Sequence, residues 1–127
     1  MLTRRRFVTA SAGAGLAYGF KSFATQAHAQ AISKPVRMLV GFPAGGSIDA
    51  VARLLAEHMK GYAPTVIVDN RPGAGGRMAL DALKLSEADG SVMVITPGDQ
   101  LALFPHVYNR LGYKPIEDFA PVTTVCS

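Results

Sequence analysis

The sequence predicts an α/β fold built on a parallel sheet. Three observations carry this: three short apolar or β-branched runs, a glycine-bearing turn directly after each, and helical periodicity beyond the turns. Val36-Arg37-Met38-Leu39-Val40 is the first run, mostly apolar, as expected of a strand buried on both faces. The turn Phe42-Pro43-Ala44-Gly45-Gly46-Ser47-Ile48-Asp49 follows it. Ile48, Val51, Ala52, Leu55 and Met59 then form one apolar stripe of a helix, with Arg53, Glu57 and Lys60 on the other face and Arg53 and Glu57 one turn apart.

Gly61 and Pro64 end that helix. Thr65-Val66-Ile67-Val68-Asp69 is the second strand, leading into the glycine turn Asn70-Arg71-Pro72-Gly73-Ala74-Gly75-Gly76. Met78, Leu80, Ala82, Leu83 and Leu85 give a shorter, less regular helix. Asp89-Gly90 turns the chain into the third strand, Ser91-Val92-Met93-Val94-Ile95-Thr96, and Pro97-Gly98-Asp99-Gln100 is the third turn. Residues 101–111 are expected to be helical in part, with Pro105 near the start of the ordered turn. Residues 113–119 read as a loop with one helical turn, and residues 120–125 as the opening of a fourth strand. Met38, Met59, Met78 and Met93 read as core filling. Short crossovers give parallel strands with right-handed connections. The three turns then meet at the carboxyl edge of one sheet, where open α/β sheets place ligands.

Residues 1–29 are expected to be an export signal rather than fold. Thr3-Arg4-Arg5-Arg6-Phe7-Val8 has the pattern of a twin-arginine signal, a small-residue apolar run follows, and Ala27-His28-Ala29 offers a peptidase site. The run is too short and glycine-rich to span a membrane comfortably. It holds four of the 13 Lys and Arg and none of the nine Asp and Glu, leaving nine of each sign from Gln30 onward. The basic balance therefore belongs to the leader and gives no argument for nucleic-acid binding. Residues 30–127 suffice for one small core. Cys126 is the single cysteine, so no intrachain disulfide is available, and no Cys/His cluster has metal-ligand spacing.

Backbone N–H groups of Gly45, Gly46 and Ser47 lie where the helix dipole leaves partial positive charge, a seat for a carboxylate or phosphate. The alternative is that glycine serves only the bend. The turn lacks the Gly-Lys-Ser/Thr ending of a P-loop, and Met78 stands where a dinucleotide fingerprint has its third glycine. Asp49 and Ser47 are read as helix-capping groups rather than base and nucleophile, since no acid, base and nucleophile set is evident and Gly-x-Ser-x-Gly is absent. Arg71 either meets a ligand carboxylate or pairs with Asp69 or a turn carbonyl. Thr96, ending a strand at the ligand edge, is a hydrogen-bonding candidate. Phe42 either walls a pocket or closes the core.

Phe42-Pro-Ala-Gly-Gly-Ser-x-Asp49, then Asp69-Asn-Arg-Pro-Gly-Ala-Gly-Gly76, then Thr96 through Phe119-Ala-Pro-Val122, resemble the tripartite tricarboxylate transporter substrate-binding proteins, the Bug family of periplasmic receptors. The resemblance covers essentially all of residues 30–127. It implies one α/β lobe of a type II periplasmic-binding-protein (Venus-flytrap) fold. It also implies a non-enzymatic receptor for small organic acids, without cofactor, serving two membrane transporter subunits where the full-length form exists. Carried over, the ligand contacts are Phe42, Ala44, Gly45, Gly46 and Ser47, with Asp49 in support, and Thr96, Pro97 and Gly98 on a second turn. Thr96-Pro97-Gly98 departs from the commoner Thr-Ser/Asn-Gly form of that turn. Family members are longer and contribute a second lobe, so this chain is expected to be an incomplete form, with weak or undetectable binding alone. Export to the periplasm with cleavage after Ala29 is expected. The rival readings are a truncated, non-functional fragment and a small α/β enzyme using the glycine turns as an anion site.

Overall fold

A computed structural model describes residues 32–125. The predicted leader, its cleavage site and Cys126 lie outside the described residues. The elements are β1 (Val36–Val40), α1 (Ser47–His58), β2 (Val66–Asn70), a single 3-10 turn (Ala74–Gly76), α2 (Arg77–Lys84), β3 (Val92–Ile95), and three four-residue turns of helix: α3 (Asp99–Ala102), α4 (Phe104–Val107) and α5 (Pro115–Asp118). Among the described residues the sheet has three strands in the order β2-β1-β3, both pairings parallel. Val36 stands opposite Val66, and Arg37 stands opposite both Ile67 and Val92.

The centre of the sheet is β1 because it is the most apolar run, and four of its five residues are buried. Strand alternation divides them between two layers. Met38 and Val40 meet Ala52, Ile48, Leu55 and Met59 of the α1 stripe, together with Val66, Val68, Met93 and Ile95. Leu39 is directed to the opposite face, where α2 packs on β1 and β3 with Ala79 and Leu80 fully buried. The chain steps from β1 to β2 on one side and from β2 across to β3 on the other. Winding direction therefore reverses between β1 and β3, which makes their carboxyl ends the topological switch point.

Two expectations change, for residues 120–125 and for Met78. Residues 120–125 form no strand: nothing pairs with them, and Val122 is 92% exposed, so no burial offsets the lost chain entropy. Residues 101–111 are helical in part, as expected: they hold the end of α3 and all of α4, and Pro105, in the first turn of α4, lacks the N–H that a continuous helix would need from it. Met78 is 54% exposed and lies over Gly73 rather than filling the core. On the outer face of α1, Arg53 pairs with Asp49 one turn before it.

Candidate functional site

The first turn is braced from beneath by one carboxylate. Asp49 is 3% exposed and receives four hydrogen bonds. Arg53 donates Nε to Oδ2 at 2.9 Å and Nη2 to Oδ1 at 3.0 Å, the two-pronged geometry that guanidinium and carboxylate share. The backbone N–H of Gly45 donates to Oδ2 at 2.8 Å, and Asn70 Nδ2 donates to Oδ1 at 2.9 Å. Asn70 Nδ2 also reaches the Phe42 carbonyl at 3.2 Å, so the last residue of β2 ties both ends of the turn. Arg53 above all, then the Gly45 amide and Asn70, hold the Asp49 carboxyl far below the usual carboxylate range, against a smaller opposing push from burial.

The expected capping role of Asp49 is thereby made specific. It lies at the third helical position and reaches back past the N-cap Gly46 to the amide of Gly45, a displaced form of the capping box. Ser47 is not the cap: Gly46 is, with φ −77° and ψ 171°, and no side chain caps the helix. The amide of Gly45 is thus occupied, whereas no side chain caps the amides of Gly46, Ser47, Ile48 and Asp49 at the start of α1. Gly45 has φ +84°, and a Cβ there would meet nothing within 4 Å, so backbone conformation rather than crowding calls for glycine. Phe42 fills both roles open to it. Its ring packs on the Met38–Val40–Ala52 core and, with Pro43, Gly46, Ser47 and Ile48, lines a shallow, solvent-open depression of about 250 Å³. Ala44 is exposed beside it.

Because the folded carboxyl has the lower pKa, the bracing by Asp49 is complete above its unfolded value of about 3.9 and fades as pH falls through the folded value. Urea midpoints followed from pH 7 down to pH 2 are expected to drop more steeply for the wild type than for Asp49→Asn. Parallel curves would show that the carboxylate contributes nothing to the fold.

The third turn is organised by a residue whose role no sequence signal announces. Gln100 is 1% exposed. Its Nε2 donates to the Gly75 carbonyl at 2.8 Å, its Oε1 accepts from Thr96 Oγ1 at 2.5 Å, and its backbone carbonyl accepts from the buried Tyr113 hydroxyl at 2.6 Å. One side chain therefore ties the second turn to the third. Pro97 and Gly98 use their carbonyls to start α3, bonded by Gln100 N at 3.3 Å and Ala102 N at 2.9 Å. Gln100→Leu strands the Gly75 carbonyl and the Thr96 hydroxyl. It is expected to cost about 1–3 kcal/mol in chemical denaturation, against a near-neutral result at an exposed polar residue such as Asn109.

All three turns follow carboxyl ends of parallel strands, with the first between the other two. The Arg71 amide donates to the Val40 carbonyl at 2.7 Å, while the Arg71 side chain donates Nε to Asp69 Oδ2 at 3.0 Å and is thereby engaged. Among the described residues, no group of three or more His, Cys, Asp or Glu side chains is placed to hold a metal ion, and no helix is long and apolar enough to cross a membrane.

Open parallel sheets place ligands at such a switch point, and the solved structures similar to this chain include a periplasmic transporter and a periplasmic binding protein. The structure of the periplasmic binding protein BugD is 37% identical with a TM-score of 0.58, over 64% of this chain and 27% of BugD. An R. palustris protein solved with adipate is 33% identical with a TM-score of 0.63, over 69% of this chain and 30% of its own. Residues 51–127 match the family model described as the tripartite tricarboxylate transporter family receptor, and the chain belongs to that family. Protein BugT of Bordetella pertussis is 38% identical over 95 residues, covering 73% of this chain and 29% of BugT. The chain thus spans less than a third of the length of these relatives.

Proposed function

We propose that residues 30–127 form the ligand-contacting part of one lobe of an extracytoplasmic solute receptor. It binds small organic carboxylates non-covalently and passes them to a transporter of two membrane subunits. The adipate in the R. palustris relative is such an acid. Residues 1–29 act in this reading as a twin-arginine-type leader, cleaved after Ala29, that delivers the lobe to the periplasm. The proposed contacts are Phe42, Ala44, Gly45, Gly46 and Ser47 on the first turn, with Asp49 as brace, and Thr96, Pro97 and Gly98 on the third. Gly45 contributes through conformation, its amide being engaged by Asp49.

The observation that carries this reading is the set of uncapped amides at Gly46, Ser47 and Ile48, opening on the depression beside Phe42 in a chain of a receptor family. A helix N-terminus with free N–H groups favours a carboxylate, and no competing carboxylate is at liberty there because Asp49 is saturated by its own donors. The same saturation argues against an enzyme, since the carboxylate nearest the turn is unavailable as a base. A single lobe encloses little of a ligand, so binding by this chain alone is expected to be weak.

Ser47→Pro tests the seat with little disturbance. Proline is well tolerated at the first helical position, and Gly46 already has the extended backbone that a following proline requires. The variant removes one amide donor and is expected to weaken carboxylate binding about tenfold, one charge-assisted hydrogen bond's worth. Amide shifts of the ¹⁵N-labelled chain under millimolar succinate provide the readout. Undiminished binding by Ser47→Pro would remove the proposed seat.

A further inference from the structure

Hydrogen-bond polarity along the chain of groups that joins the second and third turns is set by its first member. The carbonyl of Gly75 can only accept, so the Gln100 group 2.8 Å from it is the amide NH2. That choice directs Gln100 Oε1, itself only an acceptor, at Thr96. Thr96 Oγ1, at 2.5 Å, must therefore donate its single proton to Gln100. Gln100 is 1% exposed, and reversing its amide would set oxygen against the Gly75 carbonyl with no water to relieve it. The direction of all three groups follows from chemistry rather than from any assignment of the amide.

The consequence appears at the surface. Thr96 is half-buried at the carboxyl end of β3, and with its proton committed its hydroxyl offers only lone pairs to anything that approaches. The next residue, Pro97, has no N–H to offer. The neighbouring strand end is the reverse: the first turn presents the uncapped amides of Gly46, Ser47 and Ile48. Since β1 and β3 are paired, the turn that carries the donor amides and the turn that carries the acceptor leave adjacent strand ends.

We propose that Thr96 is a specificity-determining acceptor, which selects organic acids bearing a hydroxyl or ammonium group over acids bearing carboxylates alone. The proposal rests on the receptor reading above and narrows its ligand class. An acid seated on the first turn turns its hydroxyl or ammonium toward Thr96 and completes a hydrogen bond there. A bare dicarboxylate meets lone pairs with lone pairs.

Succinate, malate and aspartate share a four-carbon diacid frame and differ in having no donor, a hydroxyl or an ammonium. Titrated into the ¹⁵N-labelled chain, malate and aspartate are expected to bind about tenfold tighter than succinate. In Thr96→Val that gap is expected to shrink to within about twofold with succinate affinity not reduced, and in Thr96→Ser, which keeps the hydroxyl, to persist. Equal affinity for all three in the wild type, or a gap that survives in Thr96→Val, overturns the assignment of Thr96. In either case succinate shifts at Gly46, Ser47 and Ile48 leave the receptor reading standing. If none of the three acids moves those amides, the receptor reading itself falls. Should Thr96→Val not fold, the wild-type ranking and Thr96→Ser still decide.

Discussion

Gly41→Ala is expected to destabilise this lobe by about 3 kcal/mol or more. A Cβ at Gly41 would stand 2.6 Å from both the Cα and the carbonyl oxygen of Gly76, well inside contact distance. Both obstacles are backbone, so no side chain can swing aside. Gly76 cannot retreat either: a substituent on its far side would run into the Gln100 amide, and its φ of +88° is already in the left-handed region. This glycine-to-glycine contact is one of the points at which the first and second turns meet at the sheet edge. Urea denaturation provides the measurement, and Gly61→Ala the control, since a Cβ at Gly61 meets nothing within 4 Å and is expected to change stability by less than about 0.5 kcal/mol. Equal midpoints for the two variants would show that the close approach is not a constraint.

Leu39→Ala is expected to cost about 2–5 kcal/mol through lost burial and the cavity left behind. Leu39 is 1% exposed on the central strand, between β2 and β3 and beneath the α2 layer that contributes Leu80. A sheet of three strands has few alternative side chains to collapse into the space, which places the expected value in the upper half of that range. The same truncation at Leu85, 87% exposed, removes little buried surface and is expected to be near neutral. A small loss at Leu39, comparable to that at Leu85, would mean that the face under α2 is not a packed core. Losses of this size are a large fraction of the roughly 5–15 kcal/mol that holds a domain together.

The parts of the fold legible in advance are those where local pattern and tertiary burial agree. Val36 to Val40 reads as a doubly buried strand and is one, and the stripe Ile48, Ala52, Leu55 and Met59 reads as the inner face of a helix and packs as one. Parallel pairing follows from crossover length, and convergence of the turns follows from parallel pairing. Residues 120–125 misled because Val122 and Val125 have strand propensity, whereas a strand also requires a neighbour, which propensity cannot supply.

At the site, glycine turns and the first-turn carboxylate were visible, but their hydrogen-bond accounting was not. Periodicity shows that Asp49 opens a helix. It does not show that Arg53 one turn on and Asn70 from another strand would close around it, nor that its Oδ2 would accept from the Gly45 amide and so take that donor out of use. Gln100 escaped for a similar reason. A glutamine beside a turn normally signals solvent, and only the three-dimensional meeting of the second and third turns makes a buried amide the group that suits both a carbonyl and a hydroxyl.

The position of β1 between its two partners also sets an order of assembly. Its earlier partner joins it through one helix, Val36 meeting Val66, whereas Arg37 must wait for Val92 to arrive across a second crossover. Closing the shorter loop costs less chain entropy, so β1, α1 and β2 are expected to associate first, with β3 added afterwards. By that sequence of events the proposed anion seat would be shaped before Thr96 has been put in place.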